Sequence, residues 1–482
     1  AARKPWGAPL MTTSVETSRI PFPQLARMAG GDLIVRDVPS DPVAREAFLK
    51  DGVEGAAIDS RTIEPGQLFV PLVGSHTDGH RFLAEAFARG AAAALCDRAA
   101  YDSWSGHEPG PLVLVDDVTA ALQRLARRYR ESWRGLLIAV TGSTGKTTTK
   151  DLVAAVLETR GPVLRTAGNR NNHWGVPLTL LDLRARHRAA VVEMAMSAAG
   201  EIAALAALAR PEAAVITNVG SAHLGGAGLG SVEAVAREKA SIARALPPGH
   251  PLFVGESPRL AAALRGTSSR VIRFGFSLKA HLRPRAVQDL GPEGTRFEVE
   301  GFPAVHLRLV GRHQVLNALA ALAVAREYEI EPGAAVLALE SMRPLPGRME
   351  VRRGRGAVLL VDCYNANPDS TRAALATLAA WPSAERRIAV LGDMLELGDS
   401  SPRLHRLVGA VARGVELWAV GAYAAEYAAG ARRAGVRARV FPDKASLAVE
   451  LRGALGPGTV VLFKASRGAA LEEVLQGLEA EG

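Results

Sequence analysis

The most informative segment of the chain is Leu136-Leu137-Ile138-Ala139-Val140-Thr141-Gly142-Ser143-Thr144-Gly145-Lys146-Thr147-Thr148-Thr149. It starts with an apolar run, and turn residues follow that run directly, a pattern typical of a buried parallel strand. Glycines behind such a strand let backbone N–H groups close around phosphate oxygens where the next helix begins. We therefore predict a strand at 136–140, a nucleotide-binding loop and a helix.

The glycine-rich loop supplies side chains for ATP as well as backbone amides. Lys146 would reach the β- and γ-phosphates, and the Thr147 hydroxyl would bind Mg²⁺. A strict Walker sequence has glycine where Val140 stands, so this loop has the shorter form Gly-x-x-Gly-Lys-Thr. The order of strand, loop and helix favours nucleotide binding over a glycine-rich turn with an incidental lysine. The ATP-binding residues predicted here are Gly142, Ser143, Thr144, Gly145, Lys146, Thr147 and Thr148.

Two polar residues follow neighbouring strands of the same predicted sheet. Strand-like runs at 189–193 and 213–217 alternate with helical patterns, and this alternation is typical of a doubly wound sheet. The first run ends in Glu193, and the second leads through a polar turn to His223. Ligands of open α/β sheets bind beyond the carboxyl ends of the strands, so we predict that both residues lie beside the phosphate loop and hold Mg²⁺. Either residue alone could equally be a satisfied polar group at a strand end.

Length and pattern predict an α/β protein of three domains. A chain of 482 residues is too long for one core, because domains usually hold roughly 100 to 200 residues. We expect a small α/β domain at 12–111, a doubly wound domain of P-loop type at 112–345 and a Rossmann-like domain at 346–482. The predicted elements are a strand at 112–115, helices near 119–130, 201–209 and 231–245, a linker at 344–347, and last-domain strands at 357–361, 387–391, 415–420 and 459–463.

The composition excludes several classes of protein. Of the residues, 48% are hydrophobic and 22% charged, and no uninterrupted apolar stretch approaches the roughly 18 residues of a membrane helix. Cys96 and Cys363 stand far apart without a CxxC spacing, which argues against a zinc site and indicates a reducing cytosol. The net charge of +9 comes from scattered arginines, so it favours capture of an anionic small substrate over nucleic-acid binding. We expect a cytoplasmic monomer without a membrane span.

Taken together, these motifs resemble those of the Mur ligases, which join an amino acid or a dipeptide to a UDP-muramoyl carboxylate at the expense of ATP. The resemblance covers nearly the whole chain from Ser18 onward. The loop at 141–147 is similar to the family's ATP loop, and Glu193 and His223 match its magnesium ligands. Lys239 falls where the family carries a carbamylated lysine that binds a second magnesium, although its helical position alone would favour a solvated lysine.

Two later segments also resemble the family. Gly311-Arg312-His313-Gln314-Val315-Leu316-Asn317 is similar to a segment in which the asparagine contacts adenine. Pro346-Gly347-Arg348-Met349-Glu350 resembles the start of the last domain, and Arg348 would move onto the γ-phosphate when the domains close. The resemblance implies ATP contacts for Asn317, Arg348, Asp362 and Asn365, catalytic roles for Lys146, Glu193, His223, Lys239 and Arg348, and magnesium binding by Thr147, Glu193, His223 and Lys239.

The branch of the family is indicated by Asp362-Cys363-Tyr364-Asn365-Ala366-Asn367-Pro368. Sister ligases carry a Tyr-Ala-His version of this motif, whereas Tyr-Asn-Ala-Asn-Pro is similar to the branch that adds D-alanyl-D-alanine to a UDP-muramoyl-tripeptide. Segments 167–178, 391–398 and 464–467 agree with that choice. Asp59-Ser60-Arg61 looks like the UDP-sugar-binding segment. The substrate contacts implied by the resemblance are Ser60, Arg61, Asn169, Asn171 and Asn172.

Three alternative functions stay open on the sequence. The first is another Mur-type ligase, one that adds a single amino acid or extends a folate with glutamates. Asn365 argues against it, because those ligases usually have histidine at this position. The second is a nucleotide-gated binding module, which would not need Glu193, Lys239 and Arg348 together. The third is a nucleic-acid-dependent ATPase, which the lack of a basic, aromatic stripe disfavours. The chain also departs from the family pattern after His223, where Gly225 replaces glutamate and one residue is inserted before Lys239.

Overall fold

The structure is a computed structural model that describes residues 19–36, 39–74, 77–102, 108–221 and 229–478 of the chain. The chain divides into two compact units, and the central part of the sequence is shared between them. The first unit runs to Ala139 and adds residues 160–195 and 201–213. The second unit contains residues 140–159, 196–200 and everything from Ala214 onward.

A five-stranded sheet forms the first part of the chain, in the order β2-β7-β6-β5-β4, and a small antiparallel pair, β1 with β3, accompanies it. The strands are β1 (Ile20–Pro21), β2 (Asp32–Ile34), β3 (Gly52–Val53), β4 (Ala56–Ala57), β5 (Leu68–Phe69), β6 (Ala93–Asp97) and β7 (Leu112–Val115). The helices are α1 (Phe22–Ala29), α2 (Pro42–Lys50), α3 (Leu83–Ala88), α4 (Arg98–Asp102) and α5 (Val118–Ser132).

Strand β7 differs from the prediction in the sheet to which it belongs. It pairs in parallel with β6 and antiparallel with β2, so Leu112–Val115 completes the first sheet. The sequence predicts this run at the start of the central domain, because an apolar strand followed by a helix has the same local pattern on either side of a boundary. Pairing partners are set by long-range contacts that the local pattern does not contain. The other domain bounds stay predictions.

The central sheet has six strands in the order β13-β12-β11-β8-β10-β9, and a three-stranded antiparallel sheet, β14-β15-β16, follows it. The strands are β8 (Leu136–Thr141), β9 (Val163–Arg165), β10 (Ala189–Glu193), β11 (Ala213–Ile216), β12 (Pro251–Gly255), β13 (Arg270–Phe274), β14 (Pro284–Asp289), β15 (Thr295–Val299) and β16 (Val305–Leu307). The helices are α6 (Lys146–Glu158), α7 (Gly175–Leu181), α8 (Glu201–Ala209), α9 (Val232–Ala240), α10 (Pro258–Ala263), α11 (Arg312–Glu327) and α12 (Pro332–Ser341). The strands predicted at 136–140, 189–193 and 213–217 are confirmed.

The last sheet also has six strands, in the order β17-β18-β22-β19-β20-β21, and only β17 runs antiparallel to its neighbour among the pairings of this sheet. The strands are β17 (Glu350–Gly354), β18 (Ala357–Asp362), β19 (Arg386–Leu391), β20 (Glu416–Val420), β21 (Ala438–Phe441) and β22 (Thr459–Lys464). The helices are α13 (Pro368–Ala379), α14 (Ser401–Ala410), α15 (Ala424–Arg433) and α16 (Lys444–Ala454). The four predicted strands of this domain are confirmed.

Both faces of the last sheet are covered, as a doubly wound fold requires. Alternate residues of a strand point to opposite faces. Leu360 and Leu462 lie in one buried cluster with residues of α13, α14 and α15, whereas Val361 and Val461 lie in another with residues of α16. The near-continuous apolar runs of these strands follow from this double burial.

Helix α11 is apolar on almost every side because it is a core helix. It has 16 residues and packs against α6, the helix that begins at the phosphate loop.

About 20 apolar residues are needed to span a bilayer. Among all the helices within the described ranges, none is long and apolar enough to do so.

The two thiols give a chemical test of these cores. Cys96 and Cys363 are both free and buried, and burial raises the pKa of each to about 12. Because the thiolate is the reactive form, we expect both thiols of the native protein to react with a maleimide at pH 8 at least about 100-fold more slowly than in denaturant. Rapid labelling of either cysteine in the native protein, followed by mass spectrometry of peptides, would contradict the packing described here.

Candidate active site

The phosphate loop connects β8 to α6 and is shaped by a glycine at its end. Gly145 has φ +76°, a left-handed conformation, and a Cβ added there would lie 2.4 Å from Oδ1 of Asn317. Both its backbone conformation and its close neighbour therefore require glycine. Lys146 is the first residue of α6, and its Nζ donates to the carbonyl of Gly142 at 3.0 Å. The loop is folded back on itself, with the lysine lying across its own backbone.

The residues that follow β11 hold this loop in place. The Thr217 hydroxyl donates to the Thr144 carbonyl at 2.6 Å, and the Asn218 side-chain oxygen accepts from the Thr144 backbone N–H at 2.9 Å. Asn218 also donates to the Thr144 hydroxyl at 2.7 Å, and its carbonyl accepts from the Ser143 N–H at 3.1 Å. We did not predict roles for Thr217 and Asn218, although a polar pair directly after a buried strand was visible in the sequence.

Lys239 lies on α9 and is buried, with only 1% of its surface exposed. Burial lowers the pKa of its amine well below the usual value, and the charge of Lys146 lowers that pKa further, while Glu238 acts in the opposite direction. A lysine amine that is buried beside another cation is driven towards its neutral form. The solvated helical lysine that the position alone would favour is therefore not what the structure has.

Arg348 of the last domain reaches the phosphate loop. Its guanidinium donates to the Thr147 hydroxyl at 3.1 Å, and this contact joins residues 201 positions apart in sequence. The guanidinium carbon also lies 3.9 Å from the ring centroid of Tyr364, which orients it through a cation–π contact. The structure thus brings together Lys146, Thr147 and Arg348, all of which we predicted for the ATP site.

Asp362 and Asn365 lie near one another around a buried lysine. Asp362 forms an ion pair with Lys464 at 2.9 Å, and Lys464 also donates to the Asn365 carbonyl at 2.6 Å. The Asn365 side chain accepts from the next backbone N–H, that of Ala366, at 2.8 Å. These bonds fix the turn after β18. Contacts of Asp362 and Asn365 with ATP stay predictions.

Asn317 packs against the loop, but its amide is bonded within the protein. Its side-chain oxygen accepts from the Thr149 hydroxyl at 3.1 Å, and its side-chain nitrogen donates to Gln314 at 2.8 Å. The residue is buried and helps to fix where α11 lies against α6. The adenine contact that we predicted for Asn317 stays a prediction.

Glu193 ends β10 in the first unit and was predicted to hold Mg²⁺. The side chain is buried, and its Oε1 accepts from the Asn171 amide at 2.8 Å. Its Oε2 is also buried, and no described residue forms a hydrogen bond with it. A buried carboxylate oxygen without a partner is costly, so this atom fits a role as a magnesium ligand. His223, its predicted companion, lies outside the described residues.

No cluster of three or more histidine, cysteine or acidic side chains is placed for metal binding within the ranges that the structure describes. The predicted set was of a different kind, because it combined the Thr147 hydroxyl, Glu193, His223 and Lys239. A lysine binds magnesium only after modification, and a threonine hydroxyl is not an acidic ligand. The magnesium site as a whole stays a prediction.

The residues predicted for the UDP substrate all lie in the first unit. The Ser60 hydroxyl donates to Glu85 at 3.0 Å, and the Asn172 side chain accepts from the backbone N–H groups of Trp174 and Gly175. Arg61 is different, because its side chain is 78% exposed while Asp59 holds its guanidinium by two hydrogen bonds. That pairing lowers the pKa of Asp59 to about 2. Asn169 accepts through its carbonyl from the Asn171 N–H at 2.7 Å.

Comparison with known protein families gives the class of this protein. Three family models match: "Mur ligase family, catalytic domain" over residues 53–130, "Mur ligase middle domain" over 140–325, and "Mur ligase, glutamate ligase domain" over 347–467. The chain belongs to the Mur ligase family of ATP-dependent, peptide-bond-forming ligases, and the three-domain α/β fold that we predicted is confirmed.

Two similar proteins carry the name of one branch of that family. The UDP-N-acetylmuramoyl-tripeptide–D-alanyl-D-alanine ligase of Bacillus subtilis is 36% identical over 452 residues, which cover 92% of this chain and 97% of that protein. The Escherichia coli protein of the same name is 34% identical and covers 95% of this chain and 98% of its own.

Solved structures of the same branch are also similar. A crystal structure of MurF from Acinetobacter baumannii superposes with a TM-score of 0.83 at 28% identity, over 96% of this chain and 99% of that one. MurF ligase from Thermotoga maritima, solved in complex with ADP, gives a TM-score of 0.76 at 29% identity, over 88% and 96% of the two chains.

The glycine at the end of the phosphate loop provides a test of the nucleotide site. We expect Gly145→Ala to weaken ATP binding at least ~10-fold, because strain in a left-handed residue costs about 1–2 kcal/mol and the methyl group meets Asn317. Calorimetric titration with ATP measures this change. Gly453→Ala, in α16 with open space around it, is the control and should bind as the unchanged protein does. Equal affinities for both variants would contradict the proposed loop.

Proposed function

We propose that this chain joins D-alanyl-D-alanine to a UDP-N-acetylmuramoyl-tripeptide, using ATP, and so makes the pentapeptide precursor of peptidoglycan. The observation that carries the proposal is the contact of Arg348 with Thr147, because it brings a cation of the last domain to the start of the phosphate-loop helix. The names of the similar proteins support the choice of substrates, as does the Tyr364-Asn365-Ala366-Asn367-Pro368 motif.

The reaction must first activate a carboxylate, whose oxide is a poor leaving group. An oxygen of the tripeptide carboxylate attacks the γ-phosphorus of ATP, and the bond to the β-phosphate oxygen breaks, which gives an acyl phosphate and ADP. The free amine of D-alanyl-D-alanine then attacks the acyl carbon, loses a proton and expels phosphate. In the first step Lys146 and Arg348 would neutralise charge on the transferring phosphoryl group, which is the main work of a protein in such a reaction.

Magnesium is the cofactor that we propose for this step. Thr147, Glu193, His223 and Lys239 would hold it, and the fit rests on the buried, unpartnered Oε2 of Glu193. A bound magnesium ion would neutralise phosphate charge during transfer. Lys239 can take part only if its neutral amine adds to carbon dioxide, with loss of a proton, to give a carbamate. The buried position of that amine beside Lys146 favours its neutral form and would make the resulting negative charge favourable.

The UDP-linked substrate and ATP would contact residues in different parts of the chain. For the UDP-linked substrate we propose Ser60, Arg61, Asn169, Asn171 and Asn172. Arg61 is the best supported of these, because its guanidinium is both exposed and oriented by Asp59. For ATP we propose Asn317, Asp362 and Asn365 in addition to the loop residues. We also propose that the protein acts in the cytoplasm as a monomer, without binding nucleic acid.

The decisive assay mixes purified protein with ATP, Mg²⁺, a UDP-muramoyl-tripeptide and a panel of amino acids and dipeptides. We expect ADP, phosphate and a single new amide, detected by mass, only when D-alanyl-D-alanine is present. Product with a single amino acid or with glutamate on a folate would move the chain to another branch of the family. Turnover of ATP that is stimulated by DNA or RNA and gives no amide would overturn the proposal.

Arg348 gives the sharpest prediction for the chemical step. We expect Arg348→Ala to lower kcat about 100-fold or more, since removal of one donor that stabilises transition-state charge has an effect of this size. The KM for ATP should change much less, because Lys146 and the backbone amides remain. Arg353→Ala removes an exposed arginine of the same domain and serves as the matched control. If both variants kept full kcat, Arg348 would have no role in phosphoryl transfer.

A further inference from the structure

The last domain makes a second contact, with the segment 217–221 that is bonded to the phosphate loop. Asp369 lies in the first turn of α13, and its Oδ2 accepts from the backbone N–H of Ser221 at 2.5 Å. The helix does not need this carboxylate as its cap. Asn367 caps α13 and forms a reciprocal capping box with Ser370. The Asp369 side chain is only 31% exposed and bonds outside its own helix.

Gly220 leaves the space that this contact needs. A Cβ added to Gly220 would lie 2.2 Å from Oδ2 of Asp369 and 2.8 Å from its Cγ. The φ of Gly220 is not in the left-handed region, so its backbone conformation is open to other residues. A side chain at position 220 would therefore displace the Asp369 carboxylate, although the backbone conformation there would accept it.

The same segment is bonded on its other side to the phosphate loop. The Gly220 N–H donates to the Ser143 hydroxyl at 2.9 Å, and the Ser143 N–H donates to the Asn218 carbonyl at 3.1 Å. A continuous set of hydrogen bonds thus leads from α13, through two successive backbone amides, to the residues that would surround the phosphates. Hydrogen bonds to a charged acceptor are shorter and stronger than neutral ones, so Asp369 is the strongest acceptor in this set.

We propose that Asp369 is a positioning residue for phosphoryl transfer, which fixes the 217–221 segment and the phosphate loop when the last domain brings Arg348 to Thr147. This inference rests on the proposed function. Arg348 would act on the phosphoryl group itself, whereas Asp369 acts through the backbone at Ser221. Seating of the last domain and the shape of the phosphate loop are coupled by this bond, so the loop reaches its working shape only when the arginine is in place.

A purely local role for Asp369 is the competing explanation. Asp369 also lies 3.8 Å from Arg372 on the next turn of α13, a distance that makes only a weak, exposed ion pair. Arg372→Ala removes that pair and leaves the Ser221 contact, so it separates the two explanations. We expect this control to keep the kcat of the unchanged protein.

The test is a double-mutant cycle on Asp369 and Gly220. We expect Asp369→Ala to lower kcat roughly 10- to 100-fold, the loss that corresponds to one hydrogen bond to a charged group, with little change in thermal unfolding temperature or in ATP affinity. Gly220→Ala should lower kcat at least as much, because its methyl group collides with the carboxylate. The double variant should be no worse than Asp369→Ala alone, since the Asp369 Cβ lies at 3.4 Å from the new methyl group, an ordinary contact.

Each outcome decides between the explanations. Asp369→Asn keeps an oxygen acceptor and should recover part of the lost kcat, and it replaces Asp369→Ala if that variant does not fold. Additive losses in the double variant, or a kcat for Asp369→Ala equal to that of the unchanged protein, would overturn the inference. A loss for Asp369→Ala that Arg372→Ala reproduces would do the same. If the unchanged protein forms no amide at all, the proposed function fails instead, so the two failures are distinguishable.

Discussion

The hydrogen bonds between the phosphate loop and the end of β11 are the constraint on which the site depends. A loop that presents backbone N–H groups to phosphate must keep its own carbonyls and side chains occupied elsewhere. Thr217 and Asn218 occupy the carbonyl of Thr144, while the Thr144 N–H is itself bonded to the Asn218 side chain, so this residue is fixed from two sides within the protein. These contacts join residues that are 73 or 74 positions apart in sequence. Parallel neighbouring strands make them possible, because such strands end at the same edge of a sheet.

The last domain adds two contacts to this same region, and the two differ in kind. Arg348 brings a positive charge to the start of α6, where it meets the Thr147 hydroxyl. Asp369 brings a negative charge to a backbone N–H at Ser221. A cation placed where phosphate charge develops can take part in chemistry, whereas an anion there would oppose it. The Asp369 carboxylate instead accepts a hydrogen bond from the backbone.

Much of the fold could be predicted from local sequence patterns. The candidate active site could be predicted from them only in part. The runs at 136–140, 189–193 and 459–463 were readable as strands because both sheet faces are buried, and the loop was readable because its glycines follow a strand. The sheet partners of Leu112–Val115 and the contact of Asp369 with Ser221 could not be predicted in this way. Both depend on residues far away in sequence. The resemblance to a family supplied Lys239 and Arg348, which the pattern alone would have left as ordinary surface cations.

The two buried lysines show why residue type alone does not reveal a site. Lys239 and Lys464 are each only 1% exposed, and a buried ammonium is costly unless it is paired. Lys464 is paired, because Asp362 lies 2.9 Å away and the Asn365 carbonyl accepts a further bond. The pKa of the Lys239 amine is instead lowered by burial and by the charge of Lys146, and the Glu238 carboxylate acts in the opposite direction. One buried lysine therefore holds a turn together, whereas the surroundings of the other favour its neutral amine.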